Sequence, residues 1–151
     1  MTDETDHSPE STTMRYGRAG IQRYEVGTRG RPARSPREAA IRTLRLKAFG
    51  RVMRDMREAA GLNVAEAAEI ARLSSPRKLS QYEGSCYPPG EAQIRLASTY
   101  GCTSYDMATT VLRHSDPDMY LAIVGQPGFM PEEDEIEAMI AEMKRNAKKD
   151  K

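Results

Sequence analysis

Ile41, Leu44, Ala48, Val52, Met56 and Ala59, with Phe49 and Met53 alongside, recur at spacings of three and four and lay one apolar stripe along a helix. The start of that helix is written in Ser35, Pro36 and Glu38. A serine hydroxyl at the N-cap can accept from the N3 amide while the N3 glutamate reaches back, and proline suits the first helical position because its missing N–H would have no partner there. Gly61 ends the helix as a left-handed C-cap.

Two short helices follow. One runs from about Val64 to Arg72 with Asn63 as its N-cap. The other is opened by Ser75 and Pro76 and continues to about Glu83, with Leu79 and Tyr82 turned inward at i and i+3. The loop Gly84 to Pro89 leads to a fourth helix carrying Ile94 and Ala97 and closing at Gly101, then a fifth from about Ser104 to Leu112 with Met107 and Val111 inward. A long helix ending at glycine, a short helix, a turn and a second short helix form the order of a helix-turn-helix, whose second short helix enters the DNA major groove.

With Leu79 and Tyr82 buried, Arg77 and Gln81 lie four apart on the opposite face of that recognition helix. Lys78 and Ser80 flank them, and Ser74 and Ser75 stand at the entering end. Arginine matches guanine N7 and O6 with two parallel bonds, glutamine matches adenine N7 and N6, and each good pair is worth about 1–3 kcal/mol of discrimination. Arg77 and Gln81 are therefore the expected readers. Helix N-termini hold phosphate through unpaired amides, which makes Asn63 a candidate backbone clamp. A solvated helix face is the plain alternative for Arg77, Lys78 and Gln81.

The chain has 151 residues, 38% hydrophobic and 30% charged, with no tryptophan and 6% aromatics, so its core should be small and helical. The net charge of +1 conceals segregation. Basic residues dominate from Arg15 to Arg57, opposed in that stretch by Glu25, Glu38 and Asp55, while acids gather as Asp3, Glu4 and Asp6 and again as Glu132, Glu133, Asp134, Glu135 and Glu137. A basic side facing DNA and an acidic side turned elsewhere fit that distribution. Cys86 and Cys102 form no CxxC and His7 and His114 lie far from them, so reduced thiols, no metal and no cofactor are expected. No apolar run of about 18 residues and no secretory leader is present, which predicts a cytoplasmic, nucleoid-associated protein without a membrane partner. Neither a nucleophile triad nor HExxH nor a phosphate-binding glycine loop occurs, and no enzyme activity is expected.

Gly61, Leu62 and Asn63, the caps and core positions that follow, and the Tyr82-Glu83-Gly84 exit to a proline loop resemble the Xre family of bacterial regulators and the lambdoid phage repressors over roughly 65 residues. The resemblance implies an all-α, five-helix lambda-repressor-like helix-turn-helix domain, with Asn63 touching phosphate and an ion pair from Arg57 to Glu83 locking the first helix to the third. It also implies a homodimer on double-stranded DNA, since such proteins bind two half-sites about one turn apart. Val64 stands where many members have glutamine, Ala67 replaces a usual leucine, and about one extra residue separates the second and third helices.

Three segments result. Residues 1–34, glycine-rich and without a sustained period, read as a flexible basic arm; Arg29-Gly30-Arg31-Pro32 resembles an AT-hook core that would lie in a narrow minor groove, with Arg34 beside it. A general phosphate-binding arm and an inert linker are the other readings of that stretch. Residues 35–113 form the DNA-binding domain. Residues 114–151 form a helical extension: Asp116 and Pro117 cap a short helix through Met119, Leu121 and Ile123 to Gly125, and Pro131 opens a last one. The stripe Ile136, Met139, Ile140 and Met143 on that last helix either packs back on its own domain or makes the dimer contact, the latter being the expectation. A dimeric repressor at a two-fold operator is the function these features predict. An architectural DNA binder of low specificity, or an antitoxin or phage-switch protein whose C-terminal segment binds another protein, are its rivals.

Overall fold

The computed structural model describes residues 34–149, so Arg29 and Arg31 of the arm lie outside the described residues. Seven helices and no strand occur among them: α1 (Pro36–Ala59), α2 (Val64–Ile70), α3 (Pro76–Tyr82), α4 (Gly90–Tyr100), α5 (Ser104–Ser115), α6 (Pro117–Val124) and α7 (Glu133–Lys149).

Local chemistry sets most of the boundaries. At the start of α1, Ser35 Oγ accepts from Glu38 N at 3.2 Å and Glu38 Oε2 accepts from Ser35 N at 3.0 Å, the reciprocal pair of a capping box. At its end Gly61 has φ of 73°, and the Gly61 and Leu62 amides donate to the Glu58 and Arg57 carbonyls at 2.9 and 3.2 Å. Those two bonds satisfy the orphan carbonyls of the last turn. The same paired bonds close α2, where the left-handed residue is Arg72, with φ of 53°. Asn63 with Glu66 and Thr103 with Asp106 form further capping boxes at α2 and α5. The last helix starts at Glu133, two residues beyond the proline expected to open it; Pro131 is buried.

The main core joins Phe49 and Met53 of α1, Ala67, Ala68 and Ala71 of α2 and its end, Leu79 and Tyr82 of α3, Leu96 of α4 and Met107 and Val111 of α5. Three alanines on one side of α2 let its backbone come close to its neighbours. Of the two residues expected to build α4, Ala97 is buried and Ile94 is 59% exposed, and Ala92 and Leu96 join Ala97 in carrying that helix inward.

Two expectations need correction. The stripe on α1 is not single: Ala40, with Ile41 and Leu44, faces α7, whereas Phe49, Met53 and Arg57 face the main core and Ala59 is exposed. A helix that packs on different neighbours at its two ends must turn a different face to each. The stripe on α7 is also spent within the chain. Ile136 and Met139 are 1% and 7% exposed against Ala40 in a second small core, with Ile140 and Met143 half-buried at its edge. Ile136, Met139, Ile140 and Met143 thus pack back on α1 rather than standing open for a second subunit. Arg37 and Glu133 pair across the same contact.

Candidate nucleic-acid interface

The α2–turn–α3 unit is held from beneath. Leu79 and Tyr82, 0% and 3% exposed, fix the inner face of α3, so the opposite face must look outward. Ser75 Oγ accepts from Lys78 N at 3.3 Å and Pro76 occupies the first helical position, which together determine where α3 starts. Its exit is equally defined: the Gln81 carbonyl accepts from the amides of Gly84, Ser85 and Cys86 at 3.2, 2.8 and 3.1 Å.

On this frame Arg77, Ser80 and Ser74 are exposed, while Gln81, Lys78 and Ser75 are half-buried. Arg77 and Gln81, four apart, share one side of α3. Ser75 is occupied as a cap, and Ser80 Oγ donates to the Pro76 carbonyl at 3.4 Å. The Lys78 ammonium sits 5.5 Å from the Tyr82 ring centroid, a cation–π contact that draws it to the flank of the helix. Asn63 is exposed, but its Oδ1 accepts from Glu66 N and its own N–H donates to Glu66 Oε2, each at 2.9 Å. Only its side-chain Nδ2 hydrogens remain to meet a phosphate. Arg34 is exposed just ahead of α1.

A buried ion pair stands behind the recognition helix. Arg57 Nε and Nη2 donate to Glu83 Oε1 and Oε2 at 2.6 and 3.2 Å, and Arg57 Nη1 donates to the Leu62 carbonyl at 2.9 Å. Both residues are 8% exposed. The hydrogen bond to Glu83 pushes the Arg57 guanidinium up from its ordinary value and outweighs the desolvation that opposes it. Arg54, largely exposed, adds a second charge with its Nε 3.7 Å from Glu83 Oε2. The nearby Tyr100 hydroxyl is buried without a hydrogen-bond partner among the described residues, and burial followed by the Glu83 charge raises its pKa. Through Arg57 three hydrogen bonds, two to Glu83 and one to Leu62, tie the end of α1, the α1–α2 turn and the end of α3 together.

Sequence reasoning missed Gly50. A Cβ there would lie 2.2 Å from the Glu83 carbonyl oxygen and 2.6 Å from its carbon, so α1 touches the end of α3 backbone to backbone. The available signal was a glycine in the middle of a strong helical pattern, which usually marks such an approach. It also missed Glu66, the reciprocal partner of Asn63.

Among the described residues no group of three or more His, Cys, Asp or Glu side chains could hold a metal ion. Cys86 and Cys102 are free, half-buried thiols, and burial pushes the Cys102 thiol up. No helix among the described residues is long and apolar enough to cross a membrane.

Residues 48–108 match a family described as a helix-turn-helix domain, a span that runs from the middle of α1 into α5 and contains α2, α3, Gly50, Arg57 and Glu83. No curated protein and no solved structure matches the chain.

Proposed function

We propose that this protein is a sequence-specific DNA-binding transcriptional regulator, a dimeric repressor that occupies a two-fold symmetric operator with α3 in the major groove. The observation that carries the reading is the orientation of α3 within the matched domain. Leu79 and Tyr82 are sealed beneath it, its C-terminal end is clamped by Arg57 and Gly50, and Arg77 and Gln81 share the outer side. Rigid support matters because a bidentate contact to a base edge tolerates little error in the position of the side chain. Arg77 would take guanine and Gln81 adenine. Ser74, Ser80 and Lys78 flank them, and the Asn63 side chain contacts phosphate. Residues 35–113 would then form the five-helix arrangement of the lambdoid repressors, preceded by a DNA-facing arm and followed by an extension, and the protein would act at the nucleoid without catalysing a reaction.

The test is to incubate the purified protein with a randomised duplex library at about 150 mM salt, where non-specific contact is weak, and to sequence what is retained. A two-fold motif is the expected result, with its half-site spacing reporting the dimer. Retention without a motif would replace this reading by a low-specificity architectural one. No retention by folded protein would favour an interaction protein.

A further inference from the structure

Arg45 presents to a thioether the donor edge that Arg57 presents to a carboxylate. Its Nη2 donates to Met130 Sδ at 2.9 Å, and its Nε, on the same edge of the guanidinium, is buried without a partner among the described residues. A thioether sulfur is a weak acceptor, whereas that edge, with two parallel N–H groups, fits two oxygens of an oxyanion. Met130 is 56% exposed, so little packing holds its side chain there. Three residues earlier on the same face of α1 stands Arg42, which is exposed. Neither arginine pairs with a carboxylate among the described residues. Four residues after Arg45, Phe49 holds the ring of Tyr87 with centroids 5.0 Å apart. Burial pushes the Tyr87 hydroxyl up, and the Arg45 and Arg42 charges pull it back, so both guanidiniums act on that group.

We propose that Arg42, Arg45 and Tyr87 form a phosphate-binding site, which takes a backbone phosphate of the duplex that α3 enters. The duplex as the source rests on the operator reading above; the affinity for phosphate does not. Three observations support the assignment. First, the site is made of donors and positive charge: two guanidiniums, one with its paired edge spent on sulfur, and a phenolic hydroxyl. Second, it lies where the chain leaves the recognition helix. Gly50 touches the backbone of Glu83 and Gly84, and its neighbour Phe49 touches Tyr87, so the loop out of α3 runs along α1 toward these arginines. A helix in the major groove has sugar–phosphate backbone on either side, and contacts to it fix the register of the helix. Third, the loop from Gly84 to Pro89 contains no lysine or arginine, so α1 supplies the positive charge beside it. Arg42 and Arg45 precede residue 48, where the matched family begins, and are this chain's own addition to that domain.

The experiment has two arms. In the first, the full chain is titrated with inorganic phosphate at constant ionic strength while the Arg45 Nε–H signal, identified by its loss in Arg45→Gln, is followed by NMR. A saturable shift is expected, absent with chloride and abolished in Arg42→Gln, whose melt should match wild type because the position is exposed. In the second, binding to a duplex retained from the randomised library is measured between about 50 and 200 mM salt. Arg42→Gln combined with Arg45→Gln should lower the slope of log K against log salt by about 1, the contribution of one phosphate. Tyr87→Phe keeps the net charge and the ring on Phe49, so it reports contact rather than field. It should weaken binding by about tenfold, as expected for one hydrogen bond to a charged group, and leave base preference intact.

No phosphate shift, together with duplex binding unchanged in the double variant and in Tyr87→Phe, would overturn the proposal. A phosphate shift with duplex binding unchanged overturns the duplex as the source and leaves a site for a free phosphate. Weaker duplex binding by Tyr87→Phe without a free-phosphate shift keeps the contact and confines it to the duplex. The two readings also fail separately: a wild type that retains no duplex loses the operator, while the first arm still decides the site.

Discussion

A methyl group at position 50 would stand 2.2 Å from the Glu83 carbonyl oxygen, which makes the sign of one substitution informative. In an open helix Gly→Ala stabilises by about 1 kcal/mol. Here Gly50→Ala should destabilise by about 1–3 kcal/mol, read from urea unfolding, because backbone has to move aside; a gain in stability would show that α1 and α3 do not touch at this point. Arg57 and Arg77 separate structure from recognition in the same way. Arg57→Ala takes both close hydrogen bonds from a carboxylate that is 8% exposed, leaves it only Arg54 at 3.7 Å, and should cost about 3 kcal/mol of stability. Arg77→Ala should leave the melt unchanged, weaken binding to the selected motif by about 1–3 kcal/mol and relax selectivity at one base pair. Equal losses on motif and random DNA would make Arg77 a phosphate contact only. His114 adds a pH dependence. It is 3% exposed, edge-on to Phe49 and stacked on Phe129, and its Nδ1 donates to the Thr110 carbonyl at 2.8 Å. Burial lowers its pKa below the ordinary 6.5, more than the Thr110 bond raises it. The unfolded chain therefore binds the extra proton first. The stability His114 contributes is whole above about pH 6.5 and falls as pH drops from there through the lower folded value. His114→Phe should flatten that part of the stability–pH curve, and an unchanged curve would place the titration elsewhere.

At the scale of helices, chemistry confined to a few neighbouring residues was legible in the sequence and chemistry between distant ones was not. Ser35 with Glu38, Asn63, Ser75 with Pro76, Asp116 with Pro117 and Gly61 mark boundaries because a cap is a contact between residues two to four apart. The inner positions Leu79, Tyr82, Met107 and Val111 follow from period alone. The two faces of α1 could not be read this way, because Ala40 and Phe49 become buried through partners almost a hundred and some thirty to sixty residues further along the chain. Nor could the choice for α7: a stripe of Ile136, Met139, Ile140 and Met143 has the same spacing whether it covers its own domain or another subunit. In the site, periodicity placed Arg77 and Gln81 on one side of α3, while the tethering of Lys78 to Tyr82 and the occupation of Asn63 by Glu66 depend on side-chain positions it does not carry. The packing of α7 yields its own measurement. Ile136→Ala should cost about 2–4 kcal/mol in unfolding free energy, the range for truncating a buried aliphatic, and leave the monomer–dimer equilibrium of the folded protein where it was. A variant that keeps full stability and loses its dimer would return the stripe to the subunit interface.

For the whole molecule the relevant quantity is where charge lies rather than its sum. A net charge of +1 spread evenly would draw no polyanion, yet the stretch from Arg15 to Arg57 is strongly basic and the acids at the start of α7 supply much of the balance. Arg37 and Glu133, where the two regions meet, are 53% and 60% exposed at their side chains, so their pairing is screened and adds little to stability. What the segregation can change is attraction to DNA at a distance, and that attraction is measurable as a salt slope. Each phosphate neutralised contributes about 0.9 to the fall of log K with log salt, so six to ten contacts weaken binding by on the order of a thousandfold or more between about 50 and 200 mM. That slope is indifferent to base sequence and cannot by itself separate an operator-binding repressor from a protein that coats DNA. The arm can be isolated within it. If Arg29 and Arg31 meet phosphate or the floor of a minor groove, replacing both by alanine should lower the slope by about 2 and weaken binding at low salt, on single and paired half-sites alike. An unchanged slope would make residues 1–34 a tether and leave affinity to the helices. A slope reduced only on A·T-rich flanks would instead give the arm its own readout, since a narrow minor groove concentrates negative potential where an Arg-Gly-Arg can enter it.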